Sequence, residues 1–218
     1  EKFYQSLSVG CTKNRNAGYI SWKDGEYLDE PEFIVTGFSM KRISESKIAK
    51  EFQKNLLQMW ASVAPYDEVM SYCKTTFNNV KKGKVPLTDI IKRGRVRQDL
   101  SSYKTVSSGI AGVCYYNQHI NVDDPITDSF LYMECKHIEG PQWFMLPDGS
   151  KDRIAKFISV KEMKEFEGLC VPDWGAYAYK SVVKKAIPIF NAMGWNVKDF
   201  MIDDNQRSLS DWLGSEEE

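Results

Sequence analysis

Residues 44–84 read SESKIAKEFQKNLLQMWASVAPYDEVMSYCKTTFNNVKKGK, and two apolar stripes run through them. In the first half Ile48, Phe52, Leu56, Trp60 and Val63 recur at three- or four-residue intervals. That spacing aligns side chains along one face of an α-helix. In the second half Val69, Cys73, Phe77 and Val80 repeat the pattern. Ser44 is placed to cap the first helix and Glu45 suits its first turn, where an acceptor or negative charge satisfies exposed N–H groups. Pro65 ends this helix and Asp67 caps the next. Lys81-Lys82-Gly83-Lys84 closes the second helix with basic residues and a glycine able to turn left-handed. Two amphipathic helices joined by so short a loop predict an antiparallel pair.

Upstream the chain reads as β. Ala17–Trp22 and Phe33–Thr36 are short strand-like runs, and Lys23-Asp24-Gly25 is a turn signal. The expectation is a hairpin whose outer end carries Asp29-Glu30-Pro31. Downstream the signal is mixed. Phe130–Glu134 and Arg153–Val160 read as strands, and Asp123-Asp124-Pro125 and Leu146-Pro147-Asp148-Gly149 as turns. A last helix runs from Trp174 to Met193, stopped by Gly194 and kinked or broken at Pro188. After Asp199 the chain turns polar and acidic, and disorder is expected. The fold class is therefore α+β: a β-hairpin, a largely helical part with a small inserted β region, and a flexible acidic tail.

With 218 residues the chain suffices for one compact domain or two small ones. The formal net charge is only −1, but its distribution is uneven. From Lys41 to Lys104 basic residues outnumber acidic ones more than two to one. Lys81, Lys82, Lys84, Lys92, Arg93, Arg95 and Arg97 face a single acid, Asp89. The last twenty residues are the reverse, with Asp199, Asp203, Asp204, Asp211 and Glu216–Glu218. A basic middle and an acidic tail imply different partners for different segments.

Several function classes find no support. There is no Gly-x-Ser-x-Gly, phosphate-binding Walker loop or dinucleotide fingerprint. His119 and His137 lack neighbours at metal-ligand spacing, and Asp123-Asp124 and Asp203-Asp204 sit in turn-like or tail segments, so no metal site is expected. The five cysteines are scattered with no Cys-x-x-Cys pair, as expected of reduced, mostly buried thiols. No signal peptide or long apolar run is present, so membrane spanning is not expected and a cytoplasmic location is.

Near the C-terminus, Gln206-Arg207-Ser208-Leu209-Ser210-Asp211-Trp212-Leu213 matches the clamp-interacting pattern Gln-x-x-(Leu/Ile/Met)-x-x-aromatic-aromatic, with Leu213 in place of the second aromatic. Leu209 and Trp212 are three apart, so one helical turn points both into one hydrophobic pocket, with Gln206 beside it. The sliding-clamp contact expected here uses Gln206, Leu209, Trp212 and Leu213.

Other segments resemble, in order, archaeal-type family-B DNA polymerases. Thr12-Lys13-Asn14-Arg15-Asn16-Ala17-Gly18-Tyr19 resembles the Lys-Lys-Arg-Tyr-(Ala/Phe)-Gly motif after the palm strands. Thr36-Gly37-Phe38-Ser39-Met40-Lys41-Arg42 is similar to the segment that opens the thumb. Lys84-Val85-Pro86-Leu87-Thr88-Asp89-Ile90-Ile91 looks like the thumb's Gly-x-Val-Pro-Leu-x-Asp-Leu stretch, which leads to a basic run and a tyrosine, here Arg93 to Tyr103. Trp174–Trp195 is similar to the late Asp-x-x-Tyr helix. The stretch from Gly112 to Gln142 carries no recognisable match.

The resemblance implies the end of a palm over residues 1–40, a thumb over 41–198, and a disordered tail with the clamp motif over 199–218. It implies contacts to double-stranded primer-template DNA from Lys13, Asn14, Arg15, Asn16, Lys41, Arg42, Lys81, Lys82, Lys84, Lys92, Arg93, Arg95, Arg97 and Tyr103. Asn14 and Asn16 stand where the family has lysine and tyrosine, so one lacks the charge and the other the aromatic body. The family's Asp-x-x-Ser-Leu-Tyr-Pro-Ser and Asp-Thr-Asp segments, which hold Mg2+, are not in this sequence. Two-metal phosphoryl transfer needs such carboxylates. The chain is thus expected to contribute no catalytic residue, to be inactive alone, and to join an N-terminal catalytic portion or subunit as part of a DNA-directed DNA polymerase. The alternative is a non-catalytic, clamp-tethered DNA-binding accessory protein.

Overall fold

The computed structural model describes residues 2–4, 9–12, 14–42, 44–153 and 156–201. Four strands open the chain: β1 (Lys2–Tyr4), β2 (Val9–Thr12), β3 (Arg15–Lys23) and β4 (Glu26–Thr36). All pairings are antiparallel and β3 is central. β1 and β2 pair with successive halves of β3, and β4 pairs with β3 from Asn16↔Thr36 to Lys23↔Glu26. The β3–β4 turn is Asp24-Gly25, with φ of 52° and 101°. Positive φ at both central residues matches the twist of a two-residue hairpin, and glycine supplies the second at no steric cost. The hairpin's outer end is therefore this turn and not Asp29-Glu30-Pro31. Those three residues lie in β4, at the bulge where Leu28–Pro31 stand opposite Ser21. Proline lacks the ladder donor and is tolerated at such a bulge on an edge strand.

α1 (Lys47–Ala61) and α2 (Tyr66–Lys81) follow. The face of α2 that is buried holds Val69, Cys73, Phe77 and Val80, as the spacing requires. α1 buries Phe52, Leu56 and Leu57, but its ends differ from expectation. Ser46, not Ser44, is the N-cap residue, and its hydroxyl lies 3.4 Å from Ser181 instead of capping. The helix stops at Ala61, before Pro65, and Val63 is 75% exposed. Asp67 lies inside the first turn of α2, with Pro65 in the cap position.

Both helices close with one motif. In α1 the Ala64 N–H donates to Met59 and the Val63 N–H to Trp60. In α2 the Lys84 N–H donates to Asn79 and the Gly83 N–H to Val80. Each motif needs a left-handed residue. Gly83 supplies it at φ 65°, whereas Val63 is forced there at φ 57°.

After α3 (Leu87–Ile90), a second sheet forms around β6 (Ser129–Ile138). β5 (Lys92–Arg95) pairs with its first half on one side, β9 (Phe157–Val160) on the other, and β10 (Cys170–Pro172) with its second half. A small hairpin of β7 (Trp143–Met145) and β8 (Lys151–Arg153) stands apart. The single strand expected over Arg153–Val160 is thus two strands belonging to different sheets. Helix α4 (Ser108–His119) packs on β9 through Gly109 and Gly112, and a Cβ at Gly112 would lie 2.8 Å from the Ser159 nitrogen.

The last long helix covers Trp174 to Met193 in three parts: α5 (Trp174–Ala178), a π-helical turn (Tyr179–Val183) and α6 (Lys184–Met193), ended by Gly194 at φ 72°. Pro188 lies inside α6, one turn after the π-helical segment. α7 (Lys198–Met201) then continues past the boundary expected at residue 198. Phe200 is buried against Phe77 and Phe190, and half-buried Met201 packs on the same core, while Asp199 is exposed.

One hydrophobic cluster runs from Ala17, Val35 and Phe38 through α1, α2, α4 and β6 to Phe190 and Phe200. The expected boundary at residue 40 crosses this shared core. Among the described residues no helix is long and apolar enough to cross a membrane.

Candidate nucleic-acid interface

A groove of about 1310 Å³ runs along β5 and the start of α4. β5 lies at the edge of its sheet, paired only with β6. Side chains alternate along a strand. Arg93 and Arg95, opposite Leu131 and Ser129, are accordingly exposed on one face, while Lys92 and Gly94, opposite Tyr132 and Phe130, are half-buried on the other; past the strand Val96 is half-buried and Arg97 exposed. These residues line the groove together with Arg42, Tyr103, and Phe130, Tyr132 and Phe157 of the sheet.

The floor depends on two missing side chains. A Cβ on Gly94 would meet the Phe130 ring at 2.3 and 2.4 Å, and one on Gly109 would meet the same ring at 2.9 Å. Phe130 is thus wedged between β5 and α4, next to Tyr132 at 5.8 Å between ring centroids. Tyr103 is fixed from above: its hydroxyl accepts a hydrogen bond from the Arg97 backbone N–H at 2.9 Å.

The charges are poorly compensated. Arg95 donates to Asp128 at 2.6 Å, both largely exposed. Arg42, Lys92, Arg93 and Arg97 have no ion-pair partner among the described residues. Lys92 stands at the deep end. Burial pushes its pKa down, and the nearby Lys185 and Lys180 push the same way, partly offset by Glu45 and Glu134. A half-buried cation without its own counter-ion costs stability, so its presence invites an anion from outside.

Behind Lys92 the other charges are paired. Lys180, from the π-helical turn, donates to both oxygens of Glu134 at 2.7 and 2.6 Å, and Glu134 is almost fully buried. Lys185 of α6 donates to Glu45 at 2.7 Å and to the Ser39 hydroxyl at 2.8 Å, and Ser39 donates on to Gln53. These bonds tie the late helix to β6 and to the loop before α1, and so hold the back wall.

Other residues expected to touch nucleic acid lie elsewhere. Lys81, Lys82 and Lys84 end α2 outside the groove lining, beside Gly83, whose Cβ would meet the Trp174 ring at 2.9 Å. Asn14 and Arg15 are exposed at the start of β3 and Asn16 is half-buried there. Gly37 packs so close that its Cβ would collide with the Asn14 carbonyl. None of the three lines the groove. Lys13, the side chain of Lys41, and Gln206, Leu209, Trp212 and Leu213 lie outside the described residues.

Sequence reading missed Ser107-Ser108-Gly109 at the start of α4 and the rings of Phe130, Tyr132 and Phe157. The ring positions are visible in a sequence only as hydrophobic residues, with nothing to separate floor from core.

No family model matches the chain, and no curated protein matches it. Its chemistry therefore rests on its own residues. Among the described residues no three His, Cys, Asp or Glu side chains come together as a group that could hold a metal ion. His119 faces the Trp143 carbonyl at 2.8 Å and His137 pairs with Glu139 at 2.9 Å. Burial pushes the Cys73 thiol up to about 12, which keeps it protonated and unreactive near neutral pH.

Proposed function

We propose that this chain holds nucleic acid by its backbone, as the late-palm and thumb portion of a family-B DNA polymerase. Its catalytic carboxylates and their Mg2+ would sit on an N-terminal portion or subunit. The observation that carries the reading is the convergence of Arg42, Lys92, Arg93, Arg95 and Arg97 on one groove, with a single ion pair to Asp128 among them. Arginines and lysines on phosphates position a polynucleotide without reading its sequence. The tail motif would add a sliding clamp as second partner.

The substitutions at Asn14 and Asn16 favour a second reading, a clamp-tethered accessory protein without a polymerase partner. Mixing the chain with the N-terminal catalytic portion separates the two. Restored primer extension supports the polymerase reading, and binding to DNA and clamp without rescue supports the accessory one.

Backbone binding is tested by salt dependence. Four to five phosphate contacts to duplex DNA predict a log–log slope of about −3.6 to −4.5, or roughly a 150- to 500-fold loss of affinity between 50 and 200 mM salt. Replacing Arg93 and Arg97 by alanine should flatten the slope by about 0.9 each. A slope near zero, or one indifferent to both arginines, rules the reading out.

A further inference from the structure

Two thiols meet where β10 joins β6. β10 is a three-residue edge strand paired only with β6. Its register slips after Val171: Val171 stands opposite His137, but Pro172 stands opposite Cys135, and Lys136 is skipped. Such an extra residue is a β-bulge. Lys136 and His137 are both exposed, while Cys135 and Ile138 on either side of them are both buried. In a regular strand residues three apart point to opposite faces, so it is the bulge that puts Cys135 and Ile138 on the same one. Cys170 pairs with Ile138 and, two residues from Pro172, shares that face. Cys135 and Cys170 are thus diagonal neighbours across two strands, and a hydrogen bond joins their thiols. We propose that Cys135 and Cys170 form a redox modification site, which a low-molecular-weight disulfide such as oxidised glutathione closes to an internal disulfide that fastens β10 to β6. The inference lies outside the nucleic-acid reading and does not depend on it.

The two cysteines differ in the way an attacking and a resolving thiol must. Cys170 is half-buried on the edge strand, within reach of a small reagent, whereas Cys135 is 2% exposed. The hydrogen bond from Cys135 holds the Cys170 thiol below its ordinary range, against the opposing effect of burial. The same bond and burial push Cys135 up, and its S–H also reaches the Met133 carbonyl at 3.6 Å. The thiolate is the nucleophile, so Cys170 attacks first. Its sulfur bonds to one sulfur of the reagent, the reagent's S–S bond breaks, and one glutathione leaves as thiolate and takes up a proton. Cys170 then carries no negative charge, so only burial still opposes ionisation of Cys135. Cys135 gives up its proton and attacks the Cys170 sulfur, and the second glutathione leaves as a thiol. Two protein thiols are oxidised and one small disulfide is reduced to two thiols. Burial pushes the Cys73 and Cys114 thiols up, which keeps them out of this exchange. The new bond would reinforce a short strand. β10 is flanked by the Glu139 N–H donating to the Leu169 carbonyl at 2.8 Å and the Asp173 N–H donating to the Glu134 carbonyl at 3.1 Å. Asp173 in turn caps α5 by accepting from the Ala176 N–H at 2.9 Å, so a fastened β10 holds the head of the late helix.

The test uses the full chain, reduced, freed of reductant and then exposed to oxidised glutathione under native conditions. Mass spectrometry should show the loss of two hydrogens and a linked pair of peptides carrying Cys135 and Cys170, reversed by dithiothreitol, with Cys73 and Cys114 unmodified. Closing the loop between the two cysteines removes freedom from the unfolded chain, so Tm should rise by roughly 4–16 °C on oxidation. Two variants read the order of attack. Cys135→Ser should stop at the mixed disulfide and keep one glutathione on Cys170, and Cys170→Ser should take up glutathione at Cys135 at least about tenfold more slowly. The linked peptides are sought in the unaltered chain, so that readout does not depend on either variant folding. Failure to form the Cys135–Cys170 link in the folded chain, or its formation only after unfolding in urea, overturns the inference. A link that leaves Tm unchanged overturns the fastening of β10. Nucleic-acid binding is not the readout, so neither result bears on the reading above.

Discussion

Gly94→Ala is the most demanding perturbation of this structure. The new methyl would sit 2.3 Å from the nearest Phe130 ring carbon, where carbon–carbon contact is comfortable at about 3.5–4.0 Å. The ring must therefore retreat by roughly 1.2 Å or more. It cannot move toward α4, because Gly109 already approaches the same end of the ring, where a Cβ would lie 2.9 Å from Cε2 and 3.1 Å from Cζ. Tyr132 flanks it along β6. Either Phe130 swings into the groove or β5 peels from β6 along Lys92–Arg95. Gly94 is not left-handed, so the penalty is steric and not conformational. Overpacking of this kind costs about 1–3 kcal/mol. In a chain of this size that lowers Tm by roughly 2–12 °C. Urea and thermal unfolding followed by circular dichroism measure the loss. Phe130→Leu supplies the control: a smaller side chain relieves the clash, so the double variant should lose at least about 0.5 kcal/mol less than the sum of the singles. Gly94→Ala within about 0.5 kcal/mol of the unaltered protein, or strict additivity with Phe130→Leu, would refute the wedge.

Three further changes test neighbouring features. Lys92→Met should raise Tm yet weaken nucleic-acid binding. The depressed pKa of Lys92 means that the unfolded chain holds this proton more tightly, so the penalty is present in full below the folded pKa and fades as pH rises to the unfolded value near 10.4. A polyanion favours the charged form, so affinity should fall as pH rises through that same alkaline window, and a pH-independent affinity would argue against Lys92 meeting phosphate. Lys180→Ala strands the Glu134 carboxylate and should cost about 3 kcal/mol in urea unfolding, the low end for a broken buried pair because Lys180 itself is 43% exposed. Val63→Gly should stabilise by about 1 kcal/mol, since Gly83 already fills the equivalent position in α2 without strain; an unchanged urea midpoint would mean that Val63 is not held left-handed.

Much was legible from residue pattern. The stripe of α2, the Asp24-Gly25 turn and the stop at Gly194 each follow from local chemistry, because periodicity and positive-φ glycine act within a few residues. The basic run was legible as charge. Which of its members share a groove was not. Arg93 and Arg95 come onto one face only because Lys92–Arg95, a run without an apolar residue, is drawn into strand form by β6. Lys81, Lys82 and Lys84, close to them in sequence, are turned elsewhere by the end of α2. α4 gave no periodic signal because it is buried nearly all round, from Gly109 and Ile110 to Tyr115 and Tyr116, so no polar face marks it as a helix.

The amino-acid order alone determined the mixed α+β class, the paired helices and an excess of cations between Lys41 and Lys104. Only the tertiary structure decided that five of those cations line one groove, because the groove's shape depends on Gly94 and Gly109 admitting Phe130 between a strand and a helix. Local preferences act along the chain, whereas a groove is made by surfaces that approach across it, and here the closeness of approach is set by two residues that have no side chain.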